Sequence, residues 1–184
     1  MNASKKKRSG RQWRRKFLLV IYDWVGTMAV ALSVFALLLA YIFRIVGVEG
    51  QSMLPTLKDG DRLLLSTSDT SYEYGDVIVV DRYTDEPLIK RVIAVGGDVL
   101  TISADGVVSV NGSVLKERYI QGETIRNDFS GEMEIPKGYL FVMGDNRSFS
   151  KDSRKAEIGL VSVKDVVGRA IYCVWPIQSF GKIG

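Results

Sequence analysis

The chain is organised around Glu49-Gly50-Gln51-Ser52-Met53-Leu54-Pro55-Thr56-Leu57, which begins shortly after a long apolar run ends at Phe43. A serine becomes a nucleophile only if a neighbouring base takes its proton, and that base is most often a histidine. The 184 residues include no histidine. Serine chemistry at Ser52 therefore requires a lysine, a carboxylate or an N-terminal amine as the base.

The composition favours one folded domain with a short appendage. Apolar residues make up 46% of the chain and aromatic residues 10%, which is enough for a sizeable core. The single cysteine, Cys173, excludes an internal disulfide, and one cysteine without histidine provides no zinc or transition-metal ligand set. We therefore expect neither a metal nor another cofactor.

The basic residues are concentrated at the N-terminus. Residues 1–16 contain no acidic residue and the following basic ones: Lys5, Lys6, Lys7, Arg8, Arg11, Arg14, Arg15 and Lys16. A basic run can bind nucleic acid, but this one directly precedes an apolar segment, which favours contact with anionic membrane lipid. The sequence predicts a basic cytoplasmic tail over 1–16, with membrane lipid and not nucleic acid as its partner.

The apolar segment over 17–43 is predicted to be a transmembrane anchor. Residues 25–43 are uncharged, and as a helix they would span roughly 28 Å, close to the ~30 Å of a bilayer core. A cleaved signal peptide and the core helix of a soluble protein are the alternatives, although Trp24 and Tyr41 suit membrane interfaces. The basic tail predicts a single-pass cell-membrane protein with residues 44–184 outside the cytoplasm.

The remaining sequence predicts a mainly β fold. Short runs rich in β-branched residues, bounded by Gly, Asp or Asn, predict strands over 61–67, 75–81, 88–95, 99–103, 107–110, 139–143 and 166–175. Turn signals at 104–106 and 111–112 predict consecutive hairpins over 98–115. The polar stretch 116–135 is predicted to be an irregular surface excursion.

Lys90 is the candidate base. In a strand over 88–95, side chains alternate, so Lys90 shares a face with Leu88, Val92 and Ala94. Burial among apolar neighbours would lower the pKa of its amine. In the alternative arrangement, the stem of Lys90 covers the sheet while the amine stays in water. Periodicity alone leaves both open.

The segment 144–154, Gly-Asp-Asn-Arg-Ser-Phe-Ser-Lys-Asp-Ser-Arg, follows the predicted strand 139–143. Taken alone, it is typical of a surface turn with an Asp-Arg pair. Together with 50–57, 75–80 and 90–98, however, it resembles the successive sequence boxes of bacterial type I signal peptidases, in the same order and behind a similar anchor. The resemblance covers residues 17 to about 175, and the length is similar to that of the compact Gram-positive-type members.

The resemblance implies a signal-peptidase β-fold with a Ser/Lys catalytic domain over 44–184. It implies a serine endopeptidase that removes N-terminal signal peptides from exported preproteins after small residues, at sites of the Ala-x-Ala type. An autoproteolytic repressor of the related Ser-Lys fold is an alternative, but it should be soluble and carry a helix-turn-helix. A non-catalytic accessory protein in surface-fibre assembly is another, but it would not need both Ser52 and Lys90.

The resemblance also assigns roles to individual residues. Ser52 matches the nucleophile and Lys90 the general base, while Ser150 matches a hydroxyl that orients the lysine amine. The Ser52 backbone N–H would donate to the oxyanion. Structural support of the site is expected from Arg91, Asp145, Asp152 and Arg154. The substrate pocket is expected to comprise Met53, Leu57, Val48, Leu88 and Ile89.

Gly50 is a departure from the pattern, because some family members have a serine or threonine there whose hydroxyl completes the oxyanion hole. The second oxyanion donor is therefore open, with a backbone group or water as candidates. If neutral Lys90 is the base, kcat/KM should rise with pH through a midpoint of roughly 7 to 9.

Overall fold

The structure, a computed structural model, describes residues 3–81 and 87–183. It divides into two compact units, Met1–Ile42 and Phe43–Gly184. The first unit contains the helix α1, Ala3–Ile42, which includes residues 3–16 of the predicted tail and 17–42 of the predicted anchor, whereas Phe43 begins the first strand. The side chains of 1–16 lie outside the described part. The segment Val20–Leu39 of α1 has a mean hydropathy of 1.7 and is long and apolar enough to cross a membrane. Its described side chains are exposed.

The second unit is built mainly from antiparallel strands, as predicted. Its larger sheet contains β1 (Phe43–Gly47), β2 (Arg62–Ser66), β3 (Val77–Val80), β4 (Leu88–Val95), β9 (Tyr139–Met143), β10 (Val161–Ser162), β11 (Val166–Trp175) and β12 (Gly181–Lys182). Within the described ranges the order is β1-β2-β11-β3-β4-β9-β10, with β12 also paired to β11. The late strand β11 thus separates β2 from β3.

The smaller sheet contains β5 (Val99–Ile102), β6 (Val108–Val110), β7 (Ser113–Val114) and β8 (Glu132–Glu134), in the order β7-β6-β5-β8. Asn111 and Gly112 both have positive φ, 52° and 77°, as a type I′ hairpin turn between β6 and β7 requires. The consecutive hairpins predicted over 98–115 are confirmed.

The prediction for 116–135 is only partly right. Most of the segment is irregular, but β8 lies at its end and pairs with β5. Phe129 and Ile135 are also buried, in the cluster that the smaller sheet forms with Phe141 of β9. Two apolar residues within a polar stretch therefore fix the excursion to the core.

The alternation predicted for β4 holds only to Val92. The register with β9 shifts between Val92 and Ala94, where a bulge inserts one residue. Ile93 and Ala94 consequently pack in the same apolar cluster, whereas Val95 packs in the cluster of Val92. The prediction that Ala94 shares the face of Lys90 and Val92 is wrong for this reason.

Candidate active site

Ser52 lies in a turn between β1 and β2. Backbone hydrogen bonds join the two ends of this turn, and two buried side chains attach it to the core. Val48 N–H donates to the Asp61 carbonyl at 2.8 Å, and Gly60 N–H donates to the Val48 carbonyl at 2.9 Å. Met53 and Leu57 are both 1% exposed and anchor the turn in the core. Their burial leaves the partly exposed Ser52 side chain at the surface of the turn.

Lys90 lies on β4 and reaches this serine. Its Nζ donates to Ser52 Oγ at 2.8 Å and to the Ile89 carbonyl at 2.9 Å. The residue is 3% exposed, so its amine does not extend into water. Burial lowers the pKa of Lys90 to about 8, while the charges of Asp152 and Asp145 act in the opposite direction. That value lies within the range expected from the sequence.

Arg91, the next residue of β4, holds Asp145 in a buried ion pair. Its Nε and Nη2 donate to the two carboxylate oxygens, each at 2.8 Å, and Nη1 donates to the Gly75 carbonyl at 2.7 Å. The ring of Tyr119 covers the guanidinium at 4.1 Å. The same carboxylate accepts a hydrogen bond from Thr56 Oγ1, within the serine stretch. The pair therefore connects the turn of Ser52 to β4.

A second buried pair joins Arg154 and Asp152. Arg154 donates to both Asp152 oxygens, each at 2.8 Å, and both residues are nearly inaccessible. Burial raises the pKa of Asp152, but the hydrogen bonds and charge of Arg154 outweigh this and leave the pKa lowered. The Asp152 carboxylate also accepts from Gly144 N–H at 3.0 Å. Asp152 is thus ionised and fixes the start of the 144–154 loop.

Gly144 lies where this loop packs against the serine turn. A Cβ on Gly144 would lie 2.3 Å from Ser150 Oγ and 2.5 Å from the Ser52 carbonyl oxygen, so only glycine fits. Asn146 N–H donates to the Ser52 carbonyl at 2.9 Å, and its side chain donates to the Gln51 carbonyl at 3.1 Å. Ser150 is 6% exposed and its hydroxyl is directed at this junction.

A cleft of about 430 Å³ opens beside the Ser52–Lys90 contact. Four of the predicted pocket residues line it: Val48, Met53, Leu88 and Ile89. Leu57, the fifth, is not among the lining residues and packs in the core instead. The cleft is also lined by Phe149, which is 76% exposed, and by Lys151, neither of which was predicted.

Three further residues that contribute to the site were not selected from the sequence: Glu117, Asn146 and Arg147. Arg147 forms a buried pair with Glu117, and Asn146 binds the serine turn as described above. Arg147 and Asn146 stand inside the 144–154 motif, so their importance was open to inference. Glu117 stands in a polar stretch with no local pattern that singles it out.

The described residues contain no group of three His, Cys, Asp or Glu side chains that could hold a metal ion. The contacts suit acyl transfer by a serine, because a neutral amine with a pKa near the working pH can accept the hydroxyl proton. Arginine could not take that part, since its guanidinium stays protonated.

Comparison with known proteins agrees with this chemistry. Residues 21–175 match the family model for signal peptidase, peptidase S26. Signal peptidase I of Bacillus licheniformis is 32% identical over 88% of this chain and 92% of its own, and that of Bacillus caldolyticus is 33% identical over 98% of both. A crystal structure of a signal peptidase I from Enterococcus faecalis aligns with 23% identity and a TM-score of 0.45, over 54% of this chain and 96% of that one.

These matches define the class as a serine protease, a hydrolase. The chain belongs to the signal peptidase I family. The one apolar N-terminal helix among the described residues fits a membrane-anchored member of that family.

Proposed function

We propose that this chain removes signal peptides from exported preproteins by means of a Ser52–Lys90 dyad. The carrying observation is the 2.8 Å contact between Lys90 Nζ and Ser52 Oγ, made by an amine whose pKa is lowered by burial to about 8. In this mechanism the neutral amine accepts the Ser52 proton as Oγ attacks the scissile carbonyl. The protonated amine then donates to the leaving amine, and water activated by Lys90 hydrolyses the acyl-enzyme.

The developing oxyanion would be bound by the Ser52 backbone N–H, which has no acceptor among the described residues. Gly50 N–H donates to Asp59 Oδ1 at 2.9 Å and is therefore engaged elsewhere. Ser150 would orient the Lys90 amine. Arg91, Asp145, Asp152 and Arg154 would support the site without contacting the substrate.

The cleft has apolar walls beside the nucleophile. Val48, Met53, Leu88 and Ile89 line it, which suits an apolar side chain such as alanine at the cleaved bond. We therefore assign cleavage sites of the Ala-x-Ala type. The protein would act at the cell membrane, on signal-peptide-bearing preproteins and in contact with lipid.

The dyad is tested by purifying the full-length protein in detergent with an Ala-x-Ala preprotein. We expect Ser52→Ala and Lys90→Ala each to abolish cleavage with the fold retained. Lys90→Arg should fail equally, because guanidinium cannot be deprotonated near neutral pH. Lys137→Ala, which removes an exposed lysine, is the matched control and should cleave normally. Substantial cleavage by any of the three dyad variants would refute the mechanism.

The orientation follows from the eight basic residues of the tail, which favour the cytoplasmic side. A protease added outside spheroplasts should digest the residues after the anchor. It should leave a fragment of roughly 5 kDa, corresponding to residues 1–44 at ~110 Da each. Protection of residues 45–184 would mean that the orientation is reversed.

A further inference from the structure

The segment 117–124 runs beside the 144–154 loop and is bonded to its backbone. Gln121 N–H donates to the Asp145 carbonyl at 2.8 Å, and Arg147 N–H donates to the Gln121 carbonyl at 2.8 Å, which makes a short parallel bridge. The loop that carries Asp145 and Ser150 is therefore held by a segment that lies outside both sheets.

Within this contact, Arg147 and Glu117 form a desolvated ion pair. Their side chains are 0% and 8% exposed, and the two terminal nitrogens of Arg147 donate to the two oxygens of Glu117. Nη1 also donates to Thr124 Oγ1 at 2.9 Å. Such bidentate charged hydrogen bonds fix the direction of a guanidinium.

The remaining nitrogen of Arg147 points at the site. Its Nε donates to the Gly144 carbonyl at 3.1 Å, while Gly144 N–H is held by Asp152. Both the N–H and the carbonyl of Gly144 are thus held, and the space that a Cβ would occupy there is filled by Ser150 and the Ser52 carbonyl. A displacement of Gly144 would move both serines relative to the Lys90 amine.

We propose that Glu117 is a positioning residue. It acts through Arg147 and Gly144 to keep Lys90 Nζ within hydrogen-bond distance of Ser52 Oγ and to keep water away from the amine. This role rests on the proposed function of the dyad. A pair that only stabilises the fold would change the fraction of folded enzyme and leave the titration of the site untouched. The two roles therefore differ in the pH profile.

The pKa of Lys90 is sensitive to water entering the site, because desolvation is the largest cause of its lowered value. Glu117 is not among the groups whose charge shifts that pKa. A change at Glu117 therefore acts on Lys90 through geometry. Ser52 and the Ile89 carbonyl contact the amine, and the charges of Asp145 and Asp152 act on its pKa. Glu49 and Lys151 line the cleft beside it, and Arg91 is the next residue on the strand.

The test is Glu117→Gln in the full-length protein in detergent, with kcat/KM for a signal-peptide substrate measured from pH 6 to 10. Glutamine keeps the size but loses the charge and one acceptor oxygen. We expect kcat/KM at pH 8 to fall about 10-fold and the acidic-limb midpoint to rise by about one pH unit, as water solvates the ammonium. Glu123→Gln is the matched control in the same segment. Glu123 is exposed and makes no ion pair with described residues, so its variant should match the wild type.

Thr124→Val provides a milder variant that removes one hydrogen bond to Arg147 and leaves no charge unpaired. It should raise the midpoint in the same direction by a smaller amount, and it decides the matter if Glu117→Gln does not fold. A midpoint unmoved in the folded variants would overturn the positioning role while leaving the dyad intact. Absence of cleavage by the wild type at every pH would instead refute the dyad, and the positioning role with it.

Discussion

Lys90 and Arg91 are neighbours on β4, and both are almost fully buried, at 3% and 1% exposure, yet their surroundings differ. Arg91 has a bidentate carboxylate, a carbonyl and an aromatic ring around its guanidinium. Burial lowers the pKa of Arg91, but the hydrogen bonds and charge of Asp145 raise it above its usual value. Lys90 contacts one hydroxyl and one carbonyl, and its pKa falls. Burial penalises the charge of both cations. The high intrinsic pKa of a guanidinium and its Asp145 partner keep Arg91 charged, whereas the amine of Lys90 contacts no carboxylate among the described residues and can lose its proton.

The largest expected effect comes from removing the partner of Arg91. Asp145→Asn leaves a buried guanidinium without its counter-charge, and such a change typically costs about 3–5 kcal/mol of unfolding free energy. The loss should be measured by urea unfolding.

Asp145→Asn should also change the pH profile. Since the charge of Asp145 raises the pKa of Lys90, its loss should lower the acidic-limb midpoint of kcat/KM. Glu134→Gln, which removes an exposed carboxylate on β8, is the control and should change neither quantity measurably. Equal stability of the two variants would show that the buried pair contributes nothing.

A smaller effect is expected at Gly144, which packs against Ser150 and the Ser52 turn. Gly144→Ala introduces a methyl group 2.3 Å from Ser150 Oγ and 2.5 Å from the Ser52 carbonyl. Relief of that clash must displace the loop, at a cost of about 1–3 kcal/mol, and should lower kcat/KM at least about 10-fold through the misplaced serines. Gly47→Ala is the control, because a Cβ there meets nothing within 4 Å. Wild-type activity in folded Gly144→Ala would contradict the close fit.

The smallest expected effect is a pH dependence of stability caused by Lys90. Its pKa is about 8 in the folded protein and 10.5 as the ordinary value. Between these values the unfolded chain binds a proton that the folded protein does not, so wild-type stability should rise with pH across this window. Lys90→Met should remove this rise and, at pH 7, stabilise the protein by about 1–2 kcal/mol. The measurement is urea unfolding at pH 7 to 10, with Lys137→Met as control. Parallel curves for wild type and Lys90→Met would mean that the amine is not desolvated.

The sequence was informative wherever a residue's role depends on its own strand or motif. The strands over 88–95, 139–143 and 166–175 are rich in β-branched and other apolar residues, and the structure has them at the same bounds. Ser52 and Lys90 could be selected because the chain lacks histidine and because their motifs stand in a recognisable order. Their catalytic roles stay predictions until the variants are tested.

Features that depend on partners distant in the chain were not predictable. The bulge in β4 arises from its pairing with β9, about fifty residues later, so periodicity within 88–95 could not place Ala94. Glu117 acquires its importance from Arg147, thirty residues away. Leu57 belongs to the serine motif but points into the core, because the turn from Met53 to Leu57 directs both side chains inward. Strands of two or three residues, such as β8 and β10, are too short to leave a pattern of their own.

The central place of β11 has a consequence for how the Ser52–Lys90 site is assembled. Ser52 lies in the half of the larger sheet that contains β1 and β2, and Lys90 lies in the half that contains β3 and β4. Among the described strands of this sheet, only β11 hydrogen-bonds to both halves. Residues 166–175 follow both reactive groups in the chain, so a chain that stops before them contains Ser52 and Lys90 but lacks the strand that joins the two halves of the sheet. We expect a chain truncated after residue 165 to be inert, whereas a truncation that retains residues 1–182 restores cleavage. The Ser52–Lys90 contact therefore depends on a strand that contains neither of its two residues.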